Sequence, residues 1–191
     1  MMRVTKTGVG AALPINLDEL RDHLHIEAAT EDHYLASLLN VSVEYCEGET
    51  RRAITRQEYQ INADRFPVDY WPLPLGYIES VDQIQYIDVD GNTQTWDPTR
   101  YEIDNGSQFQ TRLRPIRNES WPSTGDYFSA AQLTVTAGYT SSTLPYTLRQ
   151  AILLMASAYY EGRAPGDPET ANIEAAAKHL LSGWALPFIG L

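Results

Sequence analysis

The sequence predicts an α+β fold, a small helical bundle interrupted by an antiparallel β insertion. Three observations predict it. Apolar residues recur at helical spacing before Arg52 and again after Pro145. Between them the period shortens to two, and Asp90-Gly91, Asp97-Pro98 and Asn105-Gly106 punctuate the stretch as turn signals. A length of 191 residues with 43% hydrophobic content suffices to bury a core and excludes a fully disordered chain.

Residues 1–15 show no periodicity and read as a flexible N-terminal arm. Asn16, followed three residues later by Glu19, is a capping-box signal, and Leu17, Leu20 and Leu24 place a short helix at about 17–25. Leu35, Leu38, Leu39, Ser42, Tyr45, Cys46 and Glu49 carry a second helix across about 31–52, with Glu31 and Asp32 in the first turn, where the helix dipole favours acids.

From Ile54 to Ile61 the residues alternate as in a half-buried strand. Pro67, Pro72 and Pro74 argue against regular structure from Phe66 to Gly76. Val81–Val89 and Thr93–Trp96 form a hairpin about a two-residue Asp90-Gly91 turn, and Tyr101–Ile103, Phe109–Leu113 and Leu133–Ala137 are further short strands. Helices return at about 145–161, apolar almost all round, and at about 170–182. The expected organisation is a helical domain of 16–52 plus 144–182, a β insertion of 53–141 and an apolar C-terminal tail of 183–191.

Composition narrows function. A net charge of −11 argues against a protein that grips nucleic-acid phosphates. Cys46 is the only cysteine, so no internal disulfide forms. The N-terminus lacks a signal-peptide run and no stretch approaches the ~20 apolar residues of a membrane span, so the expectation is a soluble protein that meets no membrane.

Catalytic and metal signals are weak. His23 and His25 lie on different faces of one helix and cannot chelate one ion. Asp88-Val-Asp-Gly-Asn92 has glycine at the fourth position rather than the sixth and Thr99 at the twelfth, so a hairpin turn explains it better than a calcium loop. Cys46 has no neighbouring histidine. Asp64, Asp69, Glu102 and Asp104 allow a carboxylate-based hydrolase only in outline. No catalytic residue, metal ligand or cofactor is expected.

Two features point elsewhere. Residues 16–49 hold nine acids against Arg21 alone, which concentrates the charge on the first two helices. From His179 to Leu191 no charged side chain occurs, whereas Trp184, Leu186, Phe188, Ile189 and Leu191 are large and apolar. Gly183 and Pro187 bar a continuing helix, so the segment reads as a docking peptide.

The layout is itself recognisable. LPINLDELRDHLHI, then a helix ending EYCEGETRRAITRQEYQ, resembles the head–tail connector proteins of long-tailed bacteriophages, also called head-completion or adaptor proteins. Tyr45, Thr50 and Arg51 approximate the family's Y-x-x-x-T-x-R stretch, one residue out of step. WPLPLGYIESVDQIQYIDVDGNTQTWDPTRYEID, RNESWP and LTVTAGYTSSTLPYTLRQAILLMASAYYEGR are similar to its Pro-rich entry and hairpin, its pre-strand loop and its strand-to-helix passage. The resemblance spans about residues 13–190.

It implies a non-enzymatic virion protein at the capsid vertex, assembled in the host bacterial cytoplasm. Such proteins form a ring, typically of twelve copies, beneath the portal after DNA packaging. The ring extends the DNA channel and offers a platform to the stopper or tail. The family's C-terminal segment docks on the portal, which fits Trp184, Leu186, Pro187, Phe188, Ile189 and Leu191. Double-stranded DNA then passes without specific binding, with Glu31, Asp32, Glu44 and Glu47 expected to face the channel, while Arg51, Arg52, Leu153 and Leu154 suit subunit contacts. The alternative is a carbohydrate- or host-binding β module using Tyr70, Trp71, Tyr77 and Trp96.

Overall fold

The computed structural model describes residues 2–8, 12–27, 31–107, 110–162, 168 and 170–187. These group into two compact units, one of residues 12–55 and 139–185, the other of 56–138 with 2–8 and 186–187.

The first unit is helical. It contains α1 (Leu17–Leu24), α2 (Asp32–Thr50), α3 (Tyr146–Glu161) and α4 (Ala171–Ser182). Asn16 caps α1 as its sequence predicts, its Oδ1 accepting from the Glu19 amide at 2.8 Å. The Glu19 carboxylate in turn receives Arg149 of α3 at 2.5 Å, which ties the first helix to the third. α2 ends where Arg51 turns left-handed at φ 54°. Leu35, Leu39, Val43 and Cys46 of α2 meet Leu148, Ile152, Met155 and Tyr159 of α3 and Leu181 of α4 in one buried cluster. This burial of an apolar stripe stabilises helices that are only two to five turns long. Among the described residues, no helix is long and apolar enough to cross a membrane.

The second unit is built of antiparallel strands. A five-stranded sheet runs β1 (Met2–Lys6), β2 (Gln57–Ala63), β8 (Ala131–Ala137), β4 (Ile78–Ile87), β5 (Thr93–Thr95). A three-stranded sheet runs β3 (Trp71–Leu73), β7 (Gln110–Pro115), β6 (Tyr101–Ser107). Every second residue of β8 is buried, namely Ala131, Leu133, Val135 and Ala137. Phe66, Trp71, Trp96 and Trp121 fill the unit with aromatic rings, Phe66 and Trp121 stacking at 4.9 Å.

Four local expectations differ from the structure. Residues 2–6, read as part of an arm, are a strand paired with β2 from Met2↔Ala63 to Lys6↔Tyr59. The Pro-rich stretch contains β3, in which Pro72 is tolerated because β3 is an edge strand with one neighbour. Asn105-Gly106 is no turn; it lies inside β6, where the register slips between Asp104 and Ser107. The β4–β5 hairpin closes with three residues rather than two, the Asp88 amide donating to the Asn92 carbonyl at 2.9 Å. Gly91 alone supplies the positive φ (85°). Asp88 Oδ1 accepts from the amides of Asp90 and Asn92 at 3.0 and 2.8 Å, which favours the longer loop.

Candidate functional site

Of the predicted docking and interface residues, Arg52 and Trp184 meet at the C-terminal end of α2. Arg51 faces solvent, but the chain then turns inward and Arg52 is 2% exposed. Its guanidinium carbon stands 5.4 Å from the Trp184 ring centre, and its Nε donates to the Trp184 carbonyl. Burial pushes the Arg52 guanidinium down from its ordinary range, while the Tyr139 hydroxyl beside it acts in the opposite direction. An interface cation and a docking aromatic, as read from the sequence, are thus partners within one chain.

Trp184 is half-buried against the helical core, and Leu186 is 4% exposed. Pro187 is exposed. Phe188, Ile189 and Leu191 lie outside the described residues. On α3, Leu153 belongs to the buried cluster and Leu154 is half-buried at its margin.

The four acids expected to face a channel divide by environment. Glu47 Oε1 accepts the backbone amides of Ile54 and Thr55 at 2.9 and 3.0 Å, capping the turn out of α2. Glu31 accepts from the Tyr160 hydroxyl at 3.0 Å, and Asp32 lies 3.3 Å from Arg21. Glu44 projects from the exposed side of α2. Sequence spacing places all four on helical positions but is blind to these partners, since Glu47 and Thr55 belong to different elements.

The β unit carries a groove of about 380 Å³ at its small sheet, lined by Tyr70, Glu102, Ile103, Asp104, Arg112 and Arg114. Its charges are matched across strands, Arg114 with Glu102 at 2.6 Å and Arg112 with Asp104. Arg112 also lies over the Tyr70 ring at 5.5 Å. A bond from the Gly106 amide, and then Arg112, hold the Asp104 carboxyl below the usual carboxylate range. Of the four aromatics of the sugar-binding alternative, Trp71 and Trp96 are core residues and only Tyr70 and Tyr77 reach solvent. Glu102 and Asp104 are thus spent on arginines, and among the described residues no three His, Cys, Asp or Glu side chains gather to hold a metal ion.

The same architecture recurs, over nearly the whole length, in solved particle structures. A chain from the neck of an empty GTA particle computed with C6 symmetry superposes with a TM-score of 0.80 at 21% identity, covering 98% of this chain and 97% of that one. The chain has the fold of a particle-neck protein. A chain from the neck of a native GTA particle computed with C12 symmetry gives a TM-score of 0.74 at 23% identity over 99% and 97%. One from the virion of a native gene transfer agent particle gives 0.76 at 22% over 99% and 97%. No protein-family model matches the chain, and no curated protein matches it in sequence. With coverage this complete, the neck fold accounts for the helical unit and the β unit together.

Proposed function

We propose that the chain is a structural protein of the neck of a phage-like particle, a non-enzymatic head–tail connector. In this reading copies form a ring under the portal, extend the DNA channel after packaging and present a platform to the stopper or tail. The full-length likeness to neck chains of gene transfer agent particles, at a TM-score of 0.80, carries it. C6 and C12 symmetry in the necks of those neighbours supports a closed ring.

Physical chemistry adds support. Each copy brings a charge of −11 to a passage that DNA must traverse. An acidic wall repels the duplex within a Debye length of about 8 Å and so does not hold it through counterion release. Glu44 is the acid of the original four with no internal role among the described contacts, and in this reading it lies nearest the channel surface. Portal docking falls to the end of the tail from Pro187 onward, because Trp184 and Leu186 are covered by their own chain. Leu154 and Arg51, at the margin of the helical unit, are the candidate subunit contacts.

Native mass spectrometry and electron microscopy of the purified chain, alone and mixed with portal, test this directly. A closed ring, alone or on the portal, is the expected result. A chain that stays monomeric and leaves the portal unoccupied at every ratio sinks the reading.

A further inference from the structure

Each sheet of the β unit has two edges, and their protection is unequal. β5 offers only three residues, and β3 offers three with Pro72 among them. Both are poor templates for another strand. β1 and β6 are longer, at five and seven residues, and among the described residues each has a strand on one side only.

Both long edges leave a core-facing residue half open. Val4 stands opposite Ile61, which is fully buried, yet Val4 itself is 36% exposed. Ile103 stands opposite the fully buried Leu113 and is 38% exposed. Residues opposite one another in a ladder share a face, so each points toward the interior and is uncovered for want of a further strand.

Their charges are opposite. β1 carries Arg3 and Lys6 and no acid; β6 carries Glu102 and Asp104 and no base. Pairing β6 with β6 about Ile103 sets Glu102 against Asp104, whereas pairing β1 with β6 brings bases to acids. The two edges also lie on opposite sides of the unit. β1 adjoins β3, where the Trp71 indole N–H reaches Met2 Sδ at 3.2 Å, while β6 adjoins β4, where Asn105 Nδ2 donates to the Ile78 carbonyl at 2.8 Å.

We propose that β1 of one copy pairs edge to edge with β6 of the next, joining the five-stranded sheet of one to the three-stranded sheet of the other. The register sets Val4 against Ile103 and, with the strands antiparallel, Arg3 against Asp104. Asp104 already receives Arg112 from its other side and is half exposed, so Arg3 completes a row of alternating charge. The slip between Asp104 and Ser107 ends the regular part of β6 where β1 would run out. Unlike edges meeting head to tail generate a ring when the rotation closes. This inference rests on the ring reading and names the surfaces that build it.

The full chain with Val4→Cys and Ile103→Cys, oxidised at millimolar concentration, tests the pairing beside the unmodified chain weighed by native mass spectrometry. A ladder of covalent multiples is expected, absent from either single variant. Arg3→Glu on that background lowers the cross-linked fraction by roughly two- to fivefold, the size of a cross-strand charge pair. Oligomers of the unmodified chain without a ladder overturn this pairing and leave the ring intact. Neither oligomer nor ladder, with the chain alone and with portal present, overturns both.

Discussion

The Arg52 guanidinium lies over the Trp184 ring at 5.4 Å and donates to the same residue's carbonyl, joining the end of α2 to the segment after α4. The two residues are 132 positions apart. A buried cation is costly unless its hydrogen bonds and its π contact are kept, so the pair should behave as one unit. Trp184→Ala should cost about 2 kcal/mol, through lost packing and an exposed flank on Arg52. Urea denaturation checks it. A loss under about 0.5 kcal/mol, the range of ordinary surface changes, means the tail is not anchored here.

Glu47 and Glu44 sit three residues apart on α2 but should respond differently. Glu47→Ala leaves two backbone amides without their acceptor and should destabilise by about 1–3 kcal/mol, with Glu47→Gln recovering part of the loss. Glu44→Ala should change stability by less than about 0.5 kcal/mol. Equal effects would contradict the separate environments described for them.

Asp88 organises the β4–β5 loop, and bonds from Gln94, Asn92 and Asp90 hold its carboxyl below the usual carboxylate range. A pKa lowered by folding contributes stability that is complete above the unfolded value and is lost as pH falls through the folded one. The stability gap between the natural chain and Asp88→Asn should therefore be constant near neutrality and narrow below about pH 4. Urea midpoints measured across that range read it out, and a gap that widens on acidification refutes the assignment.

Burial, with Glu49 and Glu47 nearby, pushes the Cys46 thiol up to about 12. It should resist a thiol reagent at mildly alkaline pH and react in denaturant. Rapid labelling of the folded chain would place Cys46 outside the core. The same inertness makes it harmless in the cysteine cross-linking experiment.

Removing residues after Pro187 spares the Arg52–Trp184 contact and buried Leu186. The shortened chain should keep its melting temperature and lose co-sedimentation with portal. If it still co-sediments, portal contact lies elsewhere. Duplex DNA mixed with the full chain at low salt should migrate unshifted, as an acidic surface requires.

The locally written part of the fold is legible along the chain alone. The four helices follow from apolar spacing and from caps such as Asn16, and each observed span lies within two residues of its expectation at either end. Strong alternation likewise marked β8, because both of its flanks are paired and one face is wholly buried. The resemblance to connector proteins was legible for the same reason, as an order of local signals along the chain.

Tertiary structure decided everything that depends on a distant partner. β1 and β3 are edge strands, held in place by β2 and β7 and too short to carry a pattern of their own. Trp71 and Trp96 look like binding aromatics until the rings of Phe66 and Trp121 surround them. From the sequence Arg52 reads as a subunit contact and Glu47 as a channel-facing acid, because their partners, Trp184, Ile54 and Thr55, lie in other segments. Periodicity reports which face of an element is buried. It carries no record of which remote atom a charge will meet, and that choice is made only when the chain closes on itself.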